Sequence, residues 1–186
     1  SKIDGMPIGI KDLFETKDMP TECGSPIFKG NVTNRDSALA SALRRAGAII
    51  LAKTVTTEFA FYKPGPTKNP YDTTRTPGGS SSGSGAAVGA GFLPVTIGTQ
   101  VVGSLIRPSS YNANFGFKPS YGLISRNGAL KTSEKLDTIG VFGKSVEAVA
   151  LLAKVLIKKD LYDPATIHFA ADGMIEASQK EPHFER

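Results

Sequence analysis

Two features of the 186-residue sequence could do chemistry. One is Lys11, a lysine inside the apolar stretch "PIGIKD"; the other is "TPGGSSSGSGAAVGAGFLP" at 76–94, with four serines, six glycines and no charge. A serine hydroxyl attacks a carbonyl only when a base takes its proton. Histidine, the familiar base, occurs only as His168 and His183, both in the C-terminal region and neither inside a local motif. A Ser-His-Asp arrangement is therefore disfavoured, and a lysine base stays open. The glycine-rich run could instead cradle phosphate through successive N–H groups ahead of a helix. The P-loop pattern, however, ends in Gly-Lys-Ser/Thr, and no lysine lies between Lys68 and Lys118. A flexible linker is the bland alternative, but linkers do not normally run straight into a buried helix and strand.

The elements that must position these residues follow an α/β rhythm. "PIGIKDLF" alternates as a short strand, "DSALASALRRAG" (36–47) is a helix with Asp36 as N-cap and Gly47 as its stop, and "AIILAK" (48–53) is a buried strand. After a Pro/Thr-rich loop (64–77), "SGSGAAVGAG" can form a helix of very small residues that lets neighbours approach to backbone contact. "LPVTIG" returns as a strand and "GTQVVGS" as a loop. "NFGFKPSYGLISR" and "LDTIGVFGKS" carry short strands, and 145–157 is an amphipathic helix with Ser145 as N-cap and Glu147 in its first turn. The domain expected is a core over 1–157, with 158–186 a charged segment of uncertain structure.

With 40% hydrophobic residues the chain can bury a core. The formal charge of +5 is spread out, with Arg44-Arg45 and Lys158-Lys159 the adjacent pairs, so no nucleic acid partner is expected. A single cysteine, Cys23, permits no internal disulfide and fits a reducing, cytoplasmic setting. Neither a signal peptide nor a membrane span is expected, and neither a metal nor a cofactor is implied.

"GIKD", "RTPGGSSSGSGAAV", "GTQVVGSLIRPSS" and "GFKPSYGLISRNG", in this order, resemble the blocks of the amidase signature family, the Ser-cisSer-Lys amide hydrolases. The likeness runs over roughly residues 5–157. The spacing in "SLIRP" resembles the malonamidase-like branch more than the tRNA-dependent amidotransferase branch, where Ser-Ile-Arg is expected. The resemblance implies a mixed β-sheet flanked by helices, here incomplete, because family catalytic domains are well over twice this length. It also implies Ser104 as nucleophile, Ser80 as a bridging serine after a cis Gly79-Ser80 peptide, and Lys11 as base. The backbone of Val101, Val102, Gly103 and Ser104 would be the oxyanion hole, and Arg107 and Thr99 would serve the substrate, Thr99 by supporting the loop and hydrogen-bonding near Ser80.

A lysine near pKa 10.4 works as a base at pH 7 to 8 only if its pKa is depressed by roughly 2–3 units, about 3–4 kcal/mol. Burial in an apolar strand can supply that, and strand alternation should turn Asp12 away from Lys11. Each oxyanion donor is worth about 3–4 kcal/mol if aimed correctly. Three positions need scrutiny. Val102 replaces a family glycine and would be strained if the site needs φ > 0 or would obstruct a close substrate approach. Arg107 could clamp a substrate carboxylate or form a buried structural ion pair. Asn112 and Ala113 replace the small pairing usual in the family, a change that should affect packing more than mechanism.

The activity implied is hydrolysis of a small amide to acid and ammonia. The alternatives are an inactive amidase-like binding domain or a relative of the tRNA-dependent amidotransferase A subunit. An exposed apolar sheet edge, covered by a homo-oligomer or a complementing chain, is the structural corollary of the missing length.

Overall fold

The computed structural model describes residues 1–181, so His183 lies outside the described residues. A five-stranded mixed sheet is built from β1 (Pro7–Lys11), β2 (Ile49–Thr54), β3 (Val95–Gln100), β4 (Phe115–Phe117) and β5 (Thr138–Gly143), ordered β2-β1-β3-β5-β4. β1 pairs in parallel with both β2 and β3, whereas β5 is antiparallel to β3 and β4. The helices are α1 (Ala38–Arg45), α2 (Ser82–Gly89), α3 (Ile106–Tyr111), α4 (Val146–Leu156) and α5 (Met174–Ser178).

Strand alternation divides the side chains between two layers. Ile8, Ile10, Val95, Ile97, Ile139 and Val141 join the main core with residues of α1 and α4. On the other side Phe142 packs with Val88 of α2 and with Leu105. Lys11 follows Ile10 at the end of β1, next in the alternation after the core-facing side chain.

Several local expectations are met and two are corrected. Ser145 caps α4 by accepting from Ala148 N, with Glu147 in the first turn, and Gly47 follows α1 at φ +86. The cap of α1 is Ser37, not Asp36. Asp36 is drawn off instead to the Lys17 amide at 3.0 Å and to Arg44 at 3.1 Å. β2 is not a buried strand either. It pairs with β1 alone at the sheet edge, leaving Ile49 and Leu51 52% and 59% exposed. At the other edge Phe115 of β4 is also exposed. Residues 158–167 are tied back to 121–134 by the buried pair Arg126–Asp163 at 2.9 Å and by Ile167 N donating to Gly122 O.

α2 is the helix of small residues that the sequence suggests, and its glycines are needed for contact. A Cβ on Gly83 would stand 2.3 Å from Val55 N, and Gly83 N itself donates to Val55 O. This contact presses the start of α2 onto the chain just beyond β2. Gly83→Ala gains about 1 kcal/mol of helix propensity but overpacks a backbone contact, which costs about 1–3 kcal/mol or more. A net loss of stability is expected, read as a lower urea midpoint with unchanged slope.

Candidate active site

Lys11 is completely buried, and its Nζ donates to Ser80 Oγ and to Thr99 Oγ1, both at 2.7 Å. These partners arrive from 69 and 88 positions along the chain, one from the loop entering α2 and one from β3. The Gly79-Ser80 peptide is cis. Asp12 is turned away, as the alternation requires, and its carboxylate pairs with Lys53 Nζ at 2.8 Å. Burial pushes the Lys11 amine down from the ordinary value of 10.5 to about 7, partly offset by the Asp137 carboxylate, which raises it. At neutral pH a large fraction of this amine is therefore the free base.

Ser80 and Ser104 line one cleft of about 660 Å³, with Thr99, Arg107 and Asp137. Ser104 Oγ makes no hydrogen bond among the described residues, which leaves the hydroxyl available to a ligand in the cleft. Thr99, expected with the substrate-binding residues, lines the cleft, and its hydroxyl accepts from Lys11 Nζ. Ser81 and Ser84 are structural, since their hydroxyls donate to the Thr99 and Ile97 carbonyls of β3.

The turn at 101–104 is shaped by a residue that the sequence reading missed. Gln100 Oε1 accepts from Leu105 N at 2.7 Å and Ile106 N at 3.0 Å, folding the chain back between β3 and α3. Among the described residues the backbone N–H groups of Val101, Val102, Gly103 and Ser104 have no intramolecular acceptor, and all four residues line the cleft. Val102 is absent from the positive-φ positions and its side chain is 83% exposed, so the valine is not strained where the family has glycine. Arg107 is exposed and forms no ion pair among the described residues. Its guanidinium donates to Gly79 O at 3.4 Å.

Asp137, one residue before β5, was also missed. Its carboxylate accepts from Thr132 N and Ser133 N and forms part of the cleft wall. Because its charge raises the Lys11 pKa, its removal must lower that pKa below about 7. Asp137→Asn should therefore move the acid limb of any Lys11-dependent reaction to lower pH. The check is the ratio of Ser104 acylation rates at pH 6 and pH 8, which should rise severalfold.

No cluster of three or more His, Cys, Asp or Glu among the described residues is placed to hold a metal ion, and no described helix is long and apolar enough to cross a membrane.

The Amidase family model matches residues 1–183. The glutamyl-tRNA(Gln) amidotransferase A subunit of Sulfurisphaera tokodaii is 42% identical over 174 residues, covering 90% of this chain and 37% of the relative. The corresponding A subunit of Thermotoga maritima superposes with a TM-score of 0.84 at 33% identity, covering 90% of this chain and 39% of the other. The peptide amidase of Stenotrophomonas maltophilia gives 0.86 at 32%, covering 95% of this chain and 38% of the other. The matches thus include amidases as well as amidotransferase A subunits, and the chain spans less than two fifths of the length of these relatives. The match of the family model over residues 1–183 establishes that the chain belongs to the amidase family.

Proposed function

We propose that the chain carries the catalytic residues of an amide hydrolase, with Ser104 as nucleophile, Ser80 as proton relay and Lys11 as general base. The observation that carries this reading is the 2.7 Å contact between a buried amine and the hydroxyl of Ser80, which lines the same cleft as Ser104. As Ser104 Oγ attacks the substrate carbonyl, its proton passes to Ser80 while Ser80 gives its own to the Lys11 lone pair. The negative charge that develops on the carbonyl oxygen is met by N–H groups of residues 101–104, which cost no reorganisation because Gln100 already holds the turn. The proton returns through Ser80 to the leaving nitrogen, ammonia departs, and water cleaves the acyl-Ser104 ester by the same relay.

Arg107 gives the substrate its second handle. Its unpaired guanidinium at the same rim suits a carboxylate on the far end of a small amide. We further propose that another polypeptide portion covers the outer face of β2, where Ile49 and Leu51 are exposed, and that turnover by the 186-residue chain alone is weak. An amidotransferase-type A subunit is the second reading, favoured by the 42% identity to such a protein. Activity that appears only when aminoacyl-tRNA and a second polypeptide are supplied would select it.

The test is a fluorophosphonate probe. Wild type should gain one adduct, mapped by mass spectrometry to Ser104, and Ser104→Ala should gain none. An unmodified wild type, or an adduct on another serine, contradicts the assignment, and rapid hydrolysis of a simple amide by this chain alone contradicts the expected weak turnover.

A further inference from the structure

A residue outside the Lys11, Ser80 and Ser104 set joins the two backbone segments that carry the serines. Asn112, at the C-terminal cap of α3, is completely buried. Its Nδ2 has two hydrogens and meets two carbonyls, Pro77 O and Pro108 O, each at 2.7 Å. Pro77 lies three residues ahead of Ser80, and Pro108 directly follows Arg107, four residues after Ser104. Pro108 O already accepts from Asn112 N at 3.1 Å, so the carbonyl that depends on this amide is Pro77 O, in the Ser80 loop.

The side chain fits because α2 presents glycines to it. A Cβ on Gly85 would come 3.1 Å from Asn112 Nδ2, and one on Gly89 would come 2.9 Å from Asn112 Cβ. The Oδ1 atom is buried without a partner, so the amide is oriented by what it donates and not by what it accepts.

We propose that Asn112 is a positioning residue for the proton relay: its amide clamps the Ser80 loop to the last turn of α3, fixing Ser80 Oγ on Lys11 Nζ and at a set distance from Ser104. This inference rests on the relay assigned above. It deepens the sequence-based view of Asn112 as a packing change, because the group held in place is the one that relays the proton. Charged groups around the cleft are Asp137 ahead of β5, Arg107 on α3, and Lys68 and Arg75 on the loop before the glycine run. Replacing neutral Asn112 alters none of them.

The experiment uses the full chain with Asn112→Leu, similar in size but without donors, and Asn112→Ser, which is smaller and cannot clash. Leu152→Ala, on the core-facing side of α4, serves as a destabilised control. Two quantities are read: the inactivation constants kinact and KI for the fluorophosphonate at Ser104, and the midpoint of the Lys11 ε-carbon titration by NMR. Misplacing the relay should lower kinact roughly 10- to 100-fold with KI little changed. The midpoint should rise as water reaches the amine. Leu152→Ala should lower the melting temperature and leave both readings alone. Asn112 variants that lose melting temperature yet keep kinact and the Lys11 midpoint overturn the proposal. If wild type is not labelled, the relay reading is what fails, and the NMR midpoint still decides whether Asn112 sets the environment of Lys11. If the leucine variant does not fold, the serine variant decides alone.

Discussion

Lys11→Met is expected to abolish Ser104 reactivity while making the fold more stable. Loss of the base should cut acylation by about 10³-fold or more, the scale on which serine hydrolases depend on their proton acceptor. The gain in stability follows from linkage. The Lys11 pKa falls from 10.5 to about 7 on folding because burial disfavours the charged amine. Between those two values the unfolded chain holds a proton that the folded chain lacks, so stability rises with pH across that window. Below about pH 7 both states are protonated and the penalty is complete. At 1.36 kcal/mol per pH unit the interval corresponds to a cost on the order of 5 kcal/mol at neutral pH. Methionine fills a similar volume without that cost, although the Ser80 and Thr99 hydroxyls lose their donor. Urea melts at pH 7 and pH 9.5 should show wild type gaining stability with pH and Lys11→Met starting higher with a flatter response. A variant that is both less stable and still labelled at Ser104 would refute this account.

The second large effect concerns the bridging serine. Ser80→Ala removes the hydroxyl through which Ser104 reaches Lys11 and should lower the acylation rate by about 10²- to 10⁴-fold. Ser80 and Lys11 act as one unit, so their losses should not add. Lys11→Met combined with Ser80→Ala is expected to react no more slowly than Lys11→Met alone. Multiplied losses in the double variant would show that the two residues serve the reaction independently, and the relay would then be wrong.

The parts of the site that could be read from sequence are those where local chemistry speaks for itself. A lysine inside an alternating apolar strand is conspicuous, and the same alternation predicts that Asp12 turns away, as its pairing with Lys53 bears out. The small-residue helix was legible from its glycines, and the cap of α4 from Ser145 and Glu147. What escaped notice were partners set by the fold. Gln100 shapes the turn through amides five and six positions on, the Asp137 carboxylate raises the Lys11 pKa, and Asn112, singled out only for packing, reaches 35 positions back to Pro77. An isolated polar residue gives no periodic signal of its partner. The position of β2 at the sheet edge was equally invisible, because an apolar run reports burial but not which strands lie beside it. Asp36 and Ser37 are adjacent capping residues, and only the pull of Lys17 and Arg44 on Asp36 decides between them.

The central claim is that a large fraction of Lys11 is free amine at neutral pH, desolvated and hydrogen-bonded to Ser80. Its most direct test is the ¹³Cε titration of Lys11 in the wild-type chain, assigned by the signal that disappears in Lys11→Met. A midpoint near pH 7 is the expected result. A midpoint near 10.5, the value of a solvated lysine, would contradict the assignment of Lys11 as the base and the relay built on it.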